Sequence, residues 1–420
     1  MTEPAPAARD EWKAHWPTVM SGMMGMSFYA MITYHFGLFI QPLEKEFHWA
    51  RADISLGLAI YTGTAVVLGP VIGALIDRMG SRRIGIFGLT VTSLAIAALG
   101  YANGSLSQWY MLWCAIAVTA VFVKSTVWGV ATSSLFTTSR SLALSVVLSG
   151  SAIAQFASPL LGAWLIGSFG WRSAYHWFGL GWGGLSLVLV LLFFIDARDV
   201  GKRSGVAAPL TSSLGGLTIP EALRSSQILR IAIGNLLMSS LGGGVAVHMV
   251  PILSGKGMSV AGAAGIAALA GITGLVGKLL TGWLMDRYQG NFIPVFSFAL
   301  QAVGYFFLLN TFDTTASLVL GVMVLGYTGG AGLQVTTYLC SRYAGLRNFG
   351  KIYATIASMM MLGTSIGPWI AGSIYDHTHS YDALLLVAIP VMLLSAAMFF
   401  GLGPYPKFHA SSDPEAAPAT

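Results

Sequence analysis

The chain has 420 residues, of which 55% are hydrophobic and only 9% charged, with 22 Lys+Arg against 16 Asp+Glu and a formal net charge of +6. An ordinary soluble domain carries about a quarter charged residues, so a water-soluble globule is excluded and the solvent is largely lipid. In such a chain an excess of Lys and Arg is first a topology signal and does not point to nucleic acid. The 51 glycines and the continuous apolar runs fit a helical bundle, since barrel strands alternate over about ten residues. Cys114 and Cys340 both lie in apolar runs and offer neither a disulfide framework nor a metal site.

A bilayer core of roughly 30 Å needs about 20 apolar residues per helix. Twelve windows bounded by charge, Pro or Gly meet that need: 16–41, 54–77, 83–103, 108–134, 141–168, 172–195, 228–253, 260–285, 291–310, 315–340, 350–375 and 381–403. Residues 1–15 form a polar tail without the short apolar core of a signal peptide, so the first span is expected to be retained. The longest polar interruption, 196–227, reads as a linker between a first six-helix half, 16–195, and a second, 228–403, followed by a polar tail, 404–420. Outside the spans, only Lys45, Arg51, Arg172 and Lys256 among the basic residues fall on the side opposite the termini. Lys and Arg accumulate in cytoplasmic loops, so both termini are expected to be cytoplasmic, in a multi-pass plasma (inner) membrane protein.

Two halves of equal size invite a search for self-similarity. An offset of 209 carries Gly73 onto Gly282, Leu75 onto Leu284, Asp77 onto Asp286, Arg78 onto Arg287 and Pro159 onto Pro368. Parallel six-helix repeats are the arrangement of major facilitator transporters, and the sequence resembles that superfamily over nearly its whole length. Gly73–Arg83 is similar to the family's loop motif after the second helix, and Gly282–Arg287 to its weaker copy. The resemblance implies an all-α integral membrane fold of twelve transmembrane helices in two pseudo-symmetric halves. It also implies a gating role for Gly73, Asp77, Arg78, Gly80, Arg82 and Arg83, with Gly282, Asp286 and Arg287 as counterparts. Gly150, Pro159 and Gly162, with Gly363, Gly367 and Pro368, resemble the stretches that let the fifth and eleventh helices pack closely and bend. Within the superfamily, Phe36–Ser55, Val247–Pro251 and Gly277–Arg287 resemble the monocarboxylate-transporter-like branch, which includes oxalate/formate-type exchangers. Many members of that branch have Arg where this chain has Lys278.

An ionisable residue inside a span is a functional hypothesis by default, because insertion scales put its cost at about 2.5–3.5 kcal/mol. Two lysines qualify. Lys124 lies within Val121-Phe-Val-Lys-Ser-Thr-Val-Trp128 of the fourth span, and Lys278 lies about two turns before Asp286 in the eighth. Their repeat partners are Leu333 and Gly69, so these charges, unlike the motif residues, do not repeat. None of the 16 Asp/Glu falls near the middle of a span, leaving an electropositive interior that an anion neutralises. A small carboxylate held between Lys124 and Lys278 is the expected substrate. Tyr34, His35, Tyr61, Trp128, Tyr327, Gln334 and Tyr338 are further candidates for the pathway. Lys lacks the fixed fork of Arg and shifts its protonation readily when buried, which leaves proton-linked transport open.

The sequence thus predicts a secondary active transporter of small organic anions, monocarboxylates such as lactate or small dicarboxylates, working by alternating access as a monomer. Proton symport and anion exchange both remain open, and no cofactor or metal is expected. The competing reading is a major facilitator exporter of hydrophobic compounds, favoured by the aromatic-rich interior. A membrane enzyme needs a clustered nucleophile, base or metal-ligand set, which the spans do not hold.

Overall fold

The computed structural model describes residues 8–136, 138–196, 216–288, 292–345, 348–406 and 408, leaving aside the side chains at 66, 69–71, 73, 74, 77, 141, 286 and 350. Residues 1–7 and 409–420 of the expected tails and 197–215 of the expected linker lie outside the described residues. The first half contains α1 (Ala8–Tyr34), α2 (Gly37–Phe47), α3 (Arg51–Met79), α4 (Ser81–Ala98), α5 (Leu106–Ala120), α6 (Ser125–Leu135), α7 (Arg140–Leu148), α8 (Gly150–His176) and α9 (Gly183–Phe193). A short α10 (Ile219–Arg224) precedes the second half: α11 (Ser226–Val247), α12 (Met249–Gly255), α13 (Val260–Arg287), α14 (Phe292–Leu308), α15 (Thr315–Ala344), α16 (Phe349–Thr378) and α17 (Asp382–Phe399).

Among the described residues eight helical stretches are long and apolar enough to cross a membrane, or nine with the bent first pair, and together with the shorter apolar helices they are consistent with the expected twelve spans, several of them broken. The first is α1 plus α2, bent by 42° between Tyr34 and Gly37. The fourth is α5 plus α6, interrupted by a tight 3₁₀ turn at Val121–Val123 and an extended Lys124 with φ −61° and ψ 157°. The stretch Leu142–Phe193 is 52 residues long, more than one span needs, and Gly170 with φ 80° and ψ 161° kinks it into two helices. That backbone conformation favours a residue without a Cβ. Beyond it, Trp177–Trp182 is wound as a π-helix before α9.

The internal repeat is visible in the element boundaries. The 209-residue offset carries Arg51 at the start of α3 onto Val260 at the start of α13, and Leu106 of α5 onto Thr315 of α15. Pro159 and Pro368 both lie inside their long helices, α8 and α16. The two halves meet mainly where α3 packs on α16 and α8 packs on α13. Large apolar side chains such as Leu192, Leu279, Trp283, Leu394 and Phe400 point outward and are exposed. On a soluble protein such a surface marks a liability; on a spanning bundle it is the face solvated by lipid.

Glycine sets how near helices approach. A Cβ at Gly330 would run into the Gly274 carbonyl, and one at Gly277 into that of Tyr327, so α13 and α15 pack backbone to backbone. The linker end is tied to the second half: Leu217 N–H donates to the Ala344 carbonyl at 2.8 Å, and Asn348 Nδ2 donates to the Leu217 carbonyl at 2.9 Å.

Candidate functional site

A central cavity of about 370 Å³ lies between the halves, bordered by α1, α2 and α8 on one side and by α11 to α16 on the other. Its wall is mostly apolar and glycine-rich, with Thr33, Tyr34, Ser151 and Gln155 as polar groups from the first half. Lys278 is the one cationic residue among those lining it, and no Asp or Glu is among them. Gly274 lies one helical turn from Lys278 on the same face of α13. A Cβ at Gly274 would sit 3.6 Å from Gln155 Oε1, so an amide of the opposite half borders the lysine's stretch of wall. Among the described residues Lys278 has no hydrogen bond or ion pair; the Asp286 side chain lies outside them.

Lys124 sits elsewhere. Its Nζ donates to the Ala65 carbonyl at 3.3 Å and lies 3.8 Å from Met361 Sδ, bridging α3 of its own half and α16 of the other. It is not among the residues lining the cavity, whereas Met360 is. Consecutive helical residues point about 100° apart, so in this conformation α16 presents Met360 to the cavity and Met361 to Lys124. The two amines do not share one wall here. The chain break that positions Lys124 frees the Val123 carbonyl, which accepts from Trp128 Nε1 at 2.8 Å.

The remaining expected residues divide. Tyr34 lines the cavity. His35 is buried one residue on, its Nδ1 against the Met31 carbonyl and its ring among Phe39, Tyr175 and Phe178. Tyr61 is buried against Tyr29 and Trp113. Trp128 is fully buried, over Gly25 and beside Phe194. The Tyr327 hydroxyl meets that of Thr281 at 3.2 Å, joining α13 to α15. Tyr338 packs with Tyr405 and Arg342 near the chain's C-terminal end, and Gln334 is exposed.

In the loop motif, Gly80 takes φ 86° and caps α3 through its N–H to the Ile76 carbonyl. Arg82 ties the start of α4 to the end of α9, with its N–H 3.2 Å from the Asp196 carboxylate and its guanidinium 2.9 Å from the Leu191 carbonyl. Arg83 is exposed, and Arg287 lies over the Trp283 ring. Arg78 has an interaction of its own, while Gly73 and the side chains of Asp77 and Asp286 lie outside the described residues. A Cβ at Gly282 would meet open space.

At the end of the bundle opposite the termini the halves are latched together. Asp376 of α16 accepts from the Arg51 and Ala52 N–H groups, at 2.9 and 2.8 Å, where α3 begins. A carboxylate suits a helix N-terminus, whose amides lack partners and whose dipole is positive. The Arg51 guanidinium pairs with Glu44 at 2.8 Å, reaches the Tyr381 hydroxyl at 2.9 Å and stacks 3.5 Å over the Tyr375 ring. His248, fully buried, joins Tyr381 at 2.7 Å to Ser55 at 3.1 Å. A Cβ at Gly37 would strike the Val247 carbonyl, and one at Gly372 the backbone of Arg51 and Ala52. In the sequence Arg51 counts only as a loop charge, and His248 only as part of the stretch Val247–Pro251. The available signal was that Arg51 and Glu44 fall inside the stretch Phe36–Ser55 that carries the branch resemblance.

The comparisons agree with this architecture. The family model of the Major Facilitator Superfamily matches residues 22–315 and 295–419, and the chain belongs to that superfamily. It is therefore a multi-pass membrane transporter with a small-molecule substrate, and not an enzyme. Its relatives place it in the monocarboxylate-transporter-like branch. It is 26% identical over 408 residues to monocarboxylate transporter 13 of Bos taurus, covering 96% of this chain and 92% of that one. It is also 24% identical over 376 residues to a gallate transporter of Pseudomonas putida, covering 78% of this chain and 82% of that one. Among solved structures, a bacterial homolog of the human lysosomal transporter Spinster, in an inward-facing and occupied conformation, superposes with a TM-score of 0.76 at 13% identity. That match covers 95% of this chain and 97% of the other. A D-xylose–proton symporter superposes with a TM-score of 0.74, also at 13% identity, over 93% of this chain and 98% of the other. At that identity the structures speak for the fold alone.

Proposed function

We propose that the protein is a secondary active transporter of small organic anions, with the substrate carboxylate bound at Lys278. The observation that carries this reading is a lysine within a spanning helix, on the wall of the central cavity, with no carboxylate among the lining residues. Such a charge is costly to hold in a low-dielectric interior, and a bound anion lowers that cost. Gln155, from the opposite half and next to Gly274, is placed to share the bound anion across the interface. The names of two relatives, a monocarboxylate transporter and a gallate transporter, are consistent with an anionic cargo.

The latch at the far end and the sorting of basic loops together favour an inward-facing state with both termini in the cytoplasm, in a plasma (inner) membrane. Transport is then alternating access by rocking of the halves around the cavity, by a functional monomer, coupled either to a proton or to a counter-anion.

The test is uptake of radiolabelled lactate, formate, oxalate and benzoate into proteoliposomes, with and without an imposed proton gradient. Lys278→Ala is expected to abolish saturable uptake, and gradient dependence separates symport from exchange. Uptake that ignores this substitution overturns the reading and favours export of hydrophobic compounds, to which the apolar wall is also suited.

A further inference from the structure

The cavity that Lys278 lines is also bordered by a polar pair from another helix, which the carboxylate reading does not use. Gln301 and Tyr305 lie one turn apart on α14, and Gln301 Nε2 donates to the Tyr305 hydroxyl at 2.8 Å. Both line the cavity, although α14 otherwise packs on α15 and α17. Gln301 is only 3% exposed, and its Oε1 is buried without a hydrogen-bond partner. A buried amide oxygen left without a partner is costly, so a cavity-lining residue that holds one is prepared for a donor.

The pair reaches the cavity through a gap in α11. A Cβ at Gly242 would lie 2.9 Å from Gln301 Nε2 and 3.8 Å from the Tyr305 hydroxyl. Glycine at 242 leaves the Gln301 amide its place against α11, and a Cβ there would push that side-chain end aside. The wall that the pair shares with Lys278 also carries apolar groups such as Met238, Leu325 and Met360, which suit a flat apolar body. The volume of about 370 Å³ greatly exceeds what formate or oxalate fills, and a second carboxylate would find no second cation on this wall.

We propose that Gln301 and Tyr305, admitted by Gly242, determine specificity by binding a hydroxyl borne on a ring-sized substrate body, remote from the carboxylate held at Lys278. This inference rests on the anion reading above and adds the second anchor to it. The preferred cargo is then a hydroxylated aromatic monocarboxylate, with the ring hydroxyl donating to Gln301 Oε1 and the Tyr305 hydroxyl available as a second partner.

The test compares uptake of 4-hydroxybenzoate and benzoate by wild type, Gln301→Leu, Tyr305→Phe and Gly242→Ala in proteoliposomes, with lactate and propionate as a pair differing only beside the carboxylate. Wild type is expected to favour 4-hydroxybenzoate by about tenfold in KM, the scale of one buried hydrogen bond. Gln301→Leu and Gly242→Ala should bring that ratio near unity and Tyr305→Phe should reduce it, with benzoate uptake and the lactate-to-propionate ratio retained. Retained benzoate uptake also shows that the variants fold. An unchanged preference in Gln301→Leu, no preference in wild type, or equal loss of both acids overturns the second anchor alone, provided wild-type carboxylate uptake still depends on Lys278. Absence of carboxylate uptake in wild type, or uptake indifferent to Lys278→Ala, overturns the anion reading and this inference with it.

Discussion

Two lysines inside apolar spans have different surroundings, and the difference sets what each can do. Lys278 faces the cavity without a partner among the described residues, whereas Lys124 already has a carbonyl and a thioether across the half-to-half contact. Lys124→Met should therefore change the maximal rate of uptake while leaving KM within about twofold, because its contacts act on the rocking equilibrium and not on the bound anion. A rise in KM comparable to that from a conservative change at Lys278 would place Lys124 in the binding site instead. Both lysines stood out in the sequence by being charges inside apolar spans that fail to repeat. That their side chains face different neighbours follows from which way α16 turns Met360 and Met361, which composition does not encode.

At the scale of helices, the structure separates glycines that hold the bundle together from those that do not. Gly330 meets the Gly274 carbonyl directly, while a Cβ at Gly265, in the same α13 as Gly274, meets nothing within 4 Å. Gly330→Val is expected to lower the thermal unfolding midpoint in detergent sharply or to abolish folded protein, since α13 and α15 must separate to admit the side chain. Gly265→Ala should be neutral or stabilise by up to about 1 kcal/mol, the helix-propensity difference. A reversed order in fluorescence-detected size exclusion would refute this account of the packing. The long helices were legible from apolar length: predicted 315–340 became Thr315–Ala344, and predicted 260–285 became Val260–Arg287. The breaks were not. Residues 121–124 read as continuous apolar sequence around one lysine, and the interruption is tolerated because Trp128 satisfies a freed carbonyl inside the protein.

At the scale of the molecule, the latch opposite the termini determines which face of the cavity is shut. Asp376 caps α3 of the other half while Arg51 holds Glu44 and Tyr381, so separating the halves at that end exposes a buried guanidinium and a helix N-terminus together. Asp376→Asn or Arg51→Gln should shift the population toward the state open at the latched end, by about tenfold for a cost of roughly 1.4 kcal/mol. The measurement is labelling of Val247→Cys by a membrane-impermeant maleimide, in a background with Cys114 and Cys340 replaced. Val247 lies in the closed contact with Gly37, so faster labelling in the latch variants supports the account and an unchanged rate refutes it.

Composition, span length and the 209-residue offset by themselves determined a twelve-span bundle of two repeated halves, because lipid solvation demands apolar helices of fixed length and a duplicated half repeats its helix ends. The same pattern singled out both Lys124 and Lys278, because a charge inside a span is costly. Only the tertiary structure decided which groups share the cavity with Lys278. Gln155, Gln301 and Tyr305 are ordinary polar residues in their own helices, and Arg51, Asp376 and His248 are ordinary charges and rings near helix ends. They acquire their places through contacts between segments more than fifty residues apart, which depend on helix rotation and close glycine packing instead of local pattern.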